Sequence, residues 1–147
     1  MTTSHDEPNV GVLLFIAYRA MESRVLEAVV AAGFDDITLA QARVFQRIGP
    51  DGTRLSELAA AAQVTKQTAG FLVDQLESAG YVERVPDPTD ARARLVRIGR
   101  RGAAAAPVAA AAVAAVEAEW TEHLGVTAMS QLRRALARLR EVTDPFR

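Results

Sequence analysis

Two groups of side chains in the middle of the chain have types and spacing suited to binding nucleic acid. The first is Lys66, Gln67 and Thr68, at the start of a predicted helix. A cation, an amide and a hydroxyl in that position suit contacts to phosphates and base edges in a major groove. The second is a run of five arginines without an acid: Arg92, Arg94, Arg97, Arg100 and Arg101. Arginine binds phosphate through its planar guanidinium, and the negative potential of a narrow minor groove attracts it.

Other kinds of chemistry find no support in the sequence. The chain has no cysteine, which excludes disulfides, thiol nucleophiles and thiolate zinc sites. His5 and His123 each lack a second ligand three or four residues away, so we expect no metal site. Ser56 and Ser130 belong to no motif that supplies a histidine and an acid, and there is no glycine-rich phosphate loop. We therefore expect neither an enzyme nor a cofactor.

The composition is that of one globular domain. The 147 residues are 50% hydrophobic and 24% charged, and 17 basic against 18 acidic residues exclude a polycation that coats nucleic acid. The segment Met1–Val10 lacks the features of a signal peptide. The most apolar stretch, Ala103–Val116, is predicted to be too short to span a bilayer, and Pro107 interrupts it. We expect a cytoplasmic protein without a membrane partner.

Helices are predicted on both sides of the central segment. The first covers residues of about 9–32, and Gly33 is a candidate for its C-terminal cap. Its apolar face contains Leu14, Tyr18, Met21, Val25 and Ala28. A second helix opens with a capping box between Thr38 and Gln41. Its predicted inward residues are Leu39, Ala42, Phe45 and Ile48. A last helical zone covers residues 103–143, where Pro107 either starts or kinks a helix and Thr127 caps the final one.

The central segment reads as two helices followed by a hairpin. Leu55–Ala62 is predicted as a helix, Gln63 and Val64 as a break, and Thr65 as the N-cap of the next helix. An apolar seam joins the two helices: Leu58, Ala59, Val64, Ala69, Leu72, Val73 and Leu76. Residues 81–85 and 95–98 are predicted as strands, with a turn over Pro86–Asp90 between them.

The segment from Leu55 to Gly102 resembles the winged helix-turn-helix of the MarR family of transcriptional regulators. Residues 87–96, DPTDARARLV, are similar to the family's Asp-Pro-x-Asp-x-Arg pattern in the wing. Residues 76–82, LESAGYV, are similar to its Leu-Glu-x-x-Gly-hydrophobic-Val pattern. The resemblance implies a mainly α fold with a small β-hairpin wing and terminal dimerisation helices, in a single domain over residues 1–147.

The resemblance also implies how the chain is divided and what it does. Residues 9–32 and 103–143 would form the dimerisation helices and residues 38–102 the DNA-binding lobe, with the recognition helix at about 65–78 and the wing at about 81–98. The protein would be a repressor that binds double-stranded DNA at an inverted-repeat operator as a homodimer. An alternative is a winged-helix dimer that acts as a protein-interaction module without binding DNA.

The expected DNA contacts follow from the same resemblance. Arg92 would enter the minor groove, and Asp90 would hold its guanidinium by a salt bridge. Gly70 and Phe71 depart from the polar or basic residues common in the family. Phe71 would contact a thymine methyl or pack against the wing, and packing is the preferred reading. The full set of expected DNA-binding residues is Thr65, Lys66, Gln67, Thr68, Gly70, Phe71, Asp90, Arg92 and Arg94.

A small aromatic or anionic effector is a further expectation. Family members bind such molecules in a cleft between the dimerisation helices and the winged lobe. An arginine beside aromatic rings would anchor a carboxylate there. The alternative is that the arginines are exposed and the aromatic rings buried, without a ligand. The candidate residues are Phe15, Tyr18, Arg43, Arg47 and Trp120.

Overall fold

The computed structural model describes residues 6–144, which form six α-helices and one antiparallel β-hairpin. The elements in chain order are α1 (Val10–Ala31), α2 (Leu39–Phe45), α3 (Leu55–Ala62), α4 (Lys66–Ser78), β1 (Val82–Asp87), β2 (Asp90–Ile98), α5 (Arg100–Leu124) and α6 (Val126–Thr143). The first helix packs along α5, which also contacts α6, and the other elements form a second group around α4. This is the mainly α fold with a small wing that the sequence predicts. His5 and Pro145 lie outside the described residues.

The helix-turn-helix forms as predicted because its turn and cap chemistry agree with its apolar pattern. Helix α3 ends with the C-cap Gln63, whose left-handed conformation (φ 59°) turns the chain toward Val64. Helix α4 begins after Thr65, whose hydroxyl accepts a hydrogen bond from the amide of Thr68 at 3.1 Å. Of the predicted seam, Val64 is half-buried and the other six residues are buried.

The inward face of α2 differs from the prediction. The capping box between Thr38 and Gln41 is confirmed. The four predicted residues are half-buried, and Phe45 and Ile48 pack against the core as predicted. The prediction missed Val44, which is fully buried, and Gln41, which is 7% exposed. The two buried residues are three positions apart, so they share the face that packs on α4. The amide of Gln41 donates to Gln75 Oε1 at 3.0 Å, which satisfies this polar group inside the contact.

The hairpin strands are longer than predicted. They continue to Asp87 and resume at Asp90, which leaves a two-residue turn, and the register shifts between Pro86 and Asp87. Proline is compatible with a bulge or an edge strand, where no partner needs its amide. A third segment supports the hairpin, because Thr53 and Val96 exchange two backbone hydrogen bonds of 2.8 Å.

The last two helices exclude one of two open alternatives and correct one prediction. Helix α5 begins at Arg100 after the N-cap Gly99 and continues through Pro107, so no helix starts at the proline. Helix α6 begins at Val126 directly after Gly125 (φ 90°), so Thr127 is not its cap. By length and composition alone α5 is long and apolar enough to cross a membrane. Such a helix is weak evidence, since helices of soluble proteins meet the same criteria, and α5 lies against α1 and α6.

The hydrophobic core lies mainly in the winged lobe, with one residue contributed by α5. It contains Val44, Leu58, Leu72, Val73, Leu76, Tyr81, Val82, Val96 and Ala105. By contrast, the N-terminal half of α1 exposes most of its large apolar side chains, and α6 has no buried residue. The exposed apolar residues of these two helices include Val10, Leu13, Phe15, Ile16, Leu136, Leu139 and Val142. The lobe therefore has its own core, whereas α1 and α6 leave apolar faces uncovered.

Candidate nucleic-acid interface

The start of α4 presents polar side chains that are free to bind. Lys66, Gln67 and Thr68 are exposed. Within residues 6–144, no hydrogen bond or ion pair engages the side chains of Lys66 and Gln67. The Thr65 hydroxyl donates to the Thr68 hydroxyl oxygen at 2.9 Å, which leaves the Thr68 proton available to an outside acceptor. A capped helix end with unused donors can contact both phosphates and base edges.

Gly70 and Phe71 lie one turn further along the same helix. The prediction that Phe71 packs against the wing is wrong, because 61% of this side chain is exposed. The spacing of four residues places the ring on the same face as Gln67. Gly70 is half-buried, and a Cβ added there would lie 3.6 Å from Leu55 Cδ2. This face of α4 therefore combines the amide of Gln67 with the exposed aromatic ring of Phe71.

The five arginines of the hairpin region do not form one positive lobe. Arg97 pairs with Glu83 across the two strands. Arg101 pairs with Asp36 and lies over the Tyr81 ring, with 4.7 Å between Cζ and the ring centroid. In the described part of the chain, Arg92, Arg94 and Arg100 have no ion pair. Two of these three, Arg92 and Arg94, lie on β2 and are exposed.

The expected salt bridge between Asp90 and the Arg92 guanidinium is not found among residues 6–144. Instead, Asp90 Oδ1 accepts the backbone amide of Arg92 at 3.0 Å. A short acidic side chain next to a turn bonds readily to an amide two residues on, and this contact is local. The carboxylate thus fixes the backbone of Arg92 and leaves the guanidinium unpaired in the absence of DNA.

Two ion-pair networks that hold the wing were missed at the sequence level. Arg84 on β1 reaches Asp74 at 2.8 Å and Glu77 at 2.9 Å on α4. Arg54 at the N-cap of α3 reaches Asp87 at 2.8 Å. The pairs join residues 7 to 33 positions apart, and only the packing of strand on helix brings them together. Helix spacing rules do not identify such pairs.

A separate cavity of about 200 Å³ lies between α1, α2 and α5. Of the expected effector residues, Tyr18 and Arg43 line it, together with Glu22, Phe45 and Gln46. Phe15, Arg47 and Trp120 are not part of the described lining. Phe15 is 62% exposed, and both oxygens of Asp144 bind Arg47, at 2.8 and 2.9 Å. Of the five residues that the sequence predicts for the effector site, only Tyr18 and Arg43 therefore line the cavity.

Among residues 6–144, two charged residues line this cavity, Glu22 and Arg43, and they form an ion pair with each other. Glu22 accepts two hydrogen bonds from Arg43, at 2.6 and 2.9 Å, and a further one from Arg19. The Glu22 side chain is 8% exposed. The hydrogen bond from Arg43 is the main cause that lowers the pKa of Glu22 from 4.5 to about 2. The pair likewise raises the pKa of Arg43.

This shift predicts a pH-dependent stability. The pairs of Glu22 contribute fully above pH 4.5, the ordinary pKa of the carboxyl, and are lost as pH falls through about 2. We expect Glu22→Gln to be less stable than the natural chain near pH 7, because two arginines lose an anionic partner. That gap in free energy of unfolding narrows below pH 4.5. Urea unfolding at a series of pH values measures it.

The matched control is Glu119→Gln. Glu119 also binds an arginine through both oxygens, but its side chain is 57% exposed, so its contribution to stability is smaller. A constant gap between Glu22→Gln and the natural chain from pH 7 to pH 2 would contradict the assignment of the low pKa.

The comparisons with known proteins agree with this geometry. The model of the MarR family matches residues 35–93, which cover the helix-turn-helix and most of the hairpin. A crystal structure of MarR is 25% identical, with a TM-score of 0.73, over 91% of this chain and 96% of that one. An E. coli MarR mutant in complex with operator DNA is 26% identical, with a TM-score of 0.69, over 88% and 92%.

A third structure carries a small molecule. It is a Mycobacterium tuberculosis MarR family protein in complex with salicylic acid, 27% identical with a TM-score of 0.65, over 91% of this chain and 98% of that one. Among curated proteins, no sequence matches the chain significantly. The matched segment is the one with the capped α4 and the hairpin, and the likeness in fold covers about nine tenths of the chain. Residues 35–93 therefore match the MarR family, and the chain has the fold of the winged helix-turn-helix regulators of that family.

Proposed function

We propose that the protein is a cytoplasmic repressor that binds an inverted-repeat operator as a homodimer. The observation that carries the proposal is that two elements of the winged lobe both expose side chains suited to DNA contacts. One is the capped start of α4, with Lys66 and Gln67, and the other is the wing, with Arg92 and Arg94; among residues 6–144 these four side chains have no hydrogen-bond or ion-pair partner. The Arg84 bridges join β1 to α4, so the two elements move together. The E. coli MarR mutant bound to operator DNA has the same fold.

In this proposal each element contacts a different groove. The N-terminal turn of α4 enters the major groove, where its side chains reach base edges and phosphates. Arg92 enters the neighbouring minor groove, and Arg94 contacts the backbone. Thr65 and Thr68 add hydroxyl contacts, and Gly70 lets the helix backbone approach the DNA. Asp90 supports Arg92 through the backbone amide rather than the guanidinium.

The proposed dimer interface covers residues 9–32 and 103–143, while residues 38–102 form the DNA-binding lobe. The exposed apolar side chains of α1 and α6 support this division, since a lone chain would leave Val10, Phe15 and Val142 more than 60% exposed. Two-fold pairing would place two lobes roughly one helical turn of DNA apart. Sedimentation equilibrium measures the mass, and a 15.8 kDa monomer at micromolar concentration would contradict the dimer.

We further propose that the cavity between α1, α2 and α5 binds a small aromatic effector. Its lining combines Tyr18 and Phe45 with a wall of alanines from α5. A carboxylate ligand would have to compete with Glu22 for Arg43. Calorimetric titration with salicylic acid and other phenolic acids tests the site, with Ala109→Leu as the control that fills the cavity. Equal heats for the control and the natural chain, or no heat with any ligand, would reject the site.

Fluorescence anisotropy tests the DNA-binding proposal directly. The labelled duplex carries the sequence that the protein enriches from a random library, and a scrambled duplex is the control. We expect tight binding that prefers the enriched sequence and weakens steeply as salt rises, because phosphate contacts release counterions.

One observation favours the alternative of a protein-interaction module. The Phe71 ring is exposed at the centre of the recognition face, and exposed aromatic side chains are common at protein interfaces. Failure to enrich any sequence, with weak binding that ignores sequence, would favour this alternative over the repressor.

The same assay predicts which residues read bases. Gln67→Ala should cost about 1–3 kcal/mol at one base pair and relax the preference there, because Gln makes paired hydrogen bonds to adenine. Phe71→Ala should reduce the preference for thymine at a neighbouring position, because it removes an apolar contact to the methyl group. Lys66→Ala is the comparison, since loss of a phosphate contact weakens binding to all sequences alike. A uniform loss for Gln67→Ala would exclude base reading by that residue.

A further inference from the structure

The turn of the wing is organised around one buried carboxylate. Asp87 is 7% exposed, although it lies at the end of an otherwise solvated hairpin. Its Oδ1 accepts hydrogen bonds from the backbone amide and the hydroxyl of Thr89, at 2.8 and 2.7 Å. These bonds, together with one from Arg54, lower the pKa of Asp87. The carboxylate is therefore ionised and closes the two-residue turn from the inside.

The second oxygen of Asp87 binds a residue from outside the hairpin. Arg54 Nε donates to Asp87 Oδ2 at 2.8 Å, and Nη2 lies at 2.8 Å from the same oxygen. Arg54 is the N-cap residue of α3, but its side chain makes no capping hydrogen bond. The residue before it, Thr53, is bonded through its backbone to Val96 on β2. The Arg54 side chain therefore does not cap α3 but extends to the turn of the wing.

The same guanidinium also approaches the residue that fixes Arg92. Arg54 Nη2 lies 3.8 Å from Asp90 Oδ2, and the other oxygen of Asp90 accepts the Arg92 amide. A chain of contacts therefore leads from α3 through Arg54 to both acids of the turn and on to the backbone of Arg92. Because a planar guanidinium presents several donors in a fixed geometry, one arginine can orient both acids at once.

We propose that Arg54 is a positioning residue that orients the wing for insertion of Arg92 into the minor groove. The inference rests on the proposed DNA-binding function and goes beyond it, since Arg54 itself contacts no DNA. It ties the wing turn to the helix-turn-helix at α3, as Arg84 ties the wing base to α4. Without Arg54 the turn keeps its Thr89 bonds but loses its link to the lobe. Arg92 then has more orientations to lose on binding.

A double-mutant cycle tests this assignment. The variants are Arg54→Ala, Arg92→Ala and the double substitution, and anisotropy measures their affinity for the duplex enriched by the natural chain. We expect Arg54→Ala to weaken binding by about tenfold, which is 1.4 kcal/mol. The double variant should bind no more weakly than Arg92→Ala alone, because Arg54 acts through Arg92. Its salt dependence should also match that of Arg92→Ala.

Two controls separate positioning from charge and from folding. Arg97→Ala removes the same charge from the hairpin, but its guanidinium is paired with Glu83 rather than with the turn. It should change affinity by less than about twofold, since an exposed pair contributes little. Thermal unfolding checks that Arg54→Ala retains the fold. Asp87→Asn, which weakens the same contact from the other side, should show the same non-additivity with Arg92→Ala.

The outcomes distinguish this inference from the function on which it rests. If the natural chain enriches no DNA sequence, the proposed function fails. If the natural chain binds and Arg92→Ala weakens binding, but the loss from Arg54→Ala is absent or adds fully to it, only the role of Arg54 is overturned. Full additivity would mean that Arg54 contacts DNA itself.

Discussion

Gly102→Ala is expected to be the most damaging exchange of a glycine for alanine within residues 6–144. A Cβ at this position would lie 2.2 Å from the carbonyl oxygen of Tyr81 and 2.7 Å from Phe45 Cε2. The ring could rotate, but the oxygen belongs to the backbone that leads into β1 and already accepts the amide of Gly99 at 2.9 Å. Because relief requires a shift of the backbone, we expect a loss of about 3 kcal/mol in the free energy of unfolding.

Gly70→Ala is the matched control for this prediction. Gly70 is also helical, but its added Cβ would meet only Leu55 Cδ2 at 3.6 Å, an ordinary contact. Replacing a glycine inside a helix by alanine is expected to raise stability by about 1 kcal/mol. The two variants should therefore move in opposite directions in urea unfolding. A Gly102→Ala chain as stable as the natural one would mean that α5 does not pack this closely on the lobe.

The position of Gly102 also explains why Gly102→Ala should affect the proposed DNA binding as well as stability. Gly102 lies in the first turn of α5, the helix that continues to the proposed dimer interface, and it lies against Phe45 of α2 and against Tyr81, which connects α4 to β1. The Tyr81 hydroxyl donates to Asp36, which also binds Arg101, and burial raises the pKa of Tyr81 to about 12. A shift of α5 would therefore disturb the contact between the winged lobe and the helices of the proposed dimer interface.

Most of the fold could be predicted from the sequence because its signals are local. The bounds of α3, the N-cap Thr65 and the capping box at Thr38 all depend on residues within one turn of each other. Predictions failed where a tertiary contact decides the outcome. Val44 is buried because α2 packs on α4. At Pro107 the sequence left open a helix start or a kink, and α5 continues through the proline despite the missing amide.

In the candidate site, too, features that depend on local sequence could be predicted and features that depend on tertiary contacts could not. The exposure of Lys66 and Gln67 follows from the helix pattern, which is a property of the sequence. The partners of the arginines do not, because Arg97, Arg101 and Arg54 find their acids across strands or between helices. The resemblance to the family named Asp90 as the partner of the Arg92 guanidinium, whereas the structure has Asp90 on the backbone amide. Charge counting along a chain cannot tell a free arginine from a paired one.

The second large effect is expected for Arg92→Ala in the DNA-binding assay. Arg92 is exposed and has no ion pair in the described chain, so binding DNA breaks no internal contact of its guanidinium. A homodimer carries every substitution twice. A loss of about 1–1.5 kcal/mol at each half-site becomes about 2–3 kcal/mol for the dimer, which is about 30- to 150-fold in affinity.

The pattern of this loss matters more than its size. Because the minor groove is read through its shape and charge, Arg92→Ala should weaken binding to enriched and scrambled duplexes alike and make the salt dependence shallower. Arg97→Ala removes an equal charge from a guanidinium that Glu83 already holds, and it should leave both quantities nearly unchanged. Equal losses for the two variants would mean that the wing acts only through its net charge. A loss confined to Arg92→Ala would instead show that the unpaired Arg92 makes a contact with DNA that Arg97, held by Glu83, does not make.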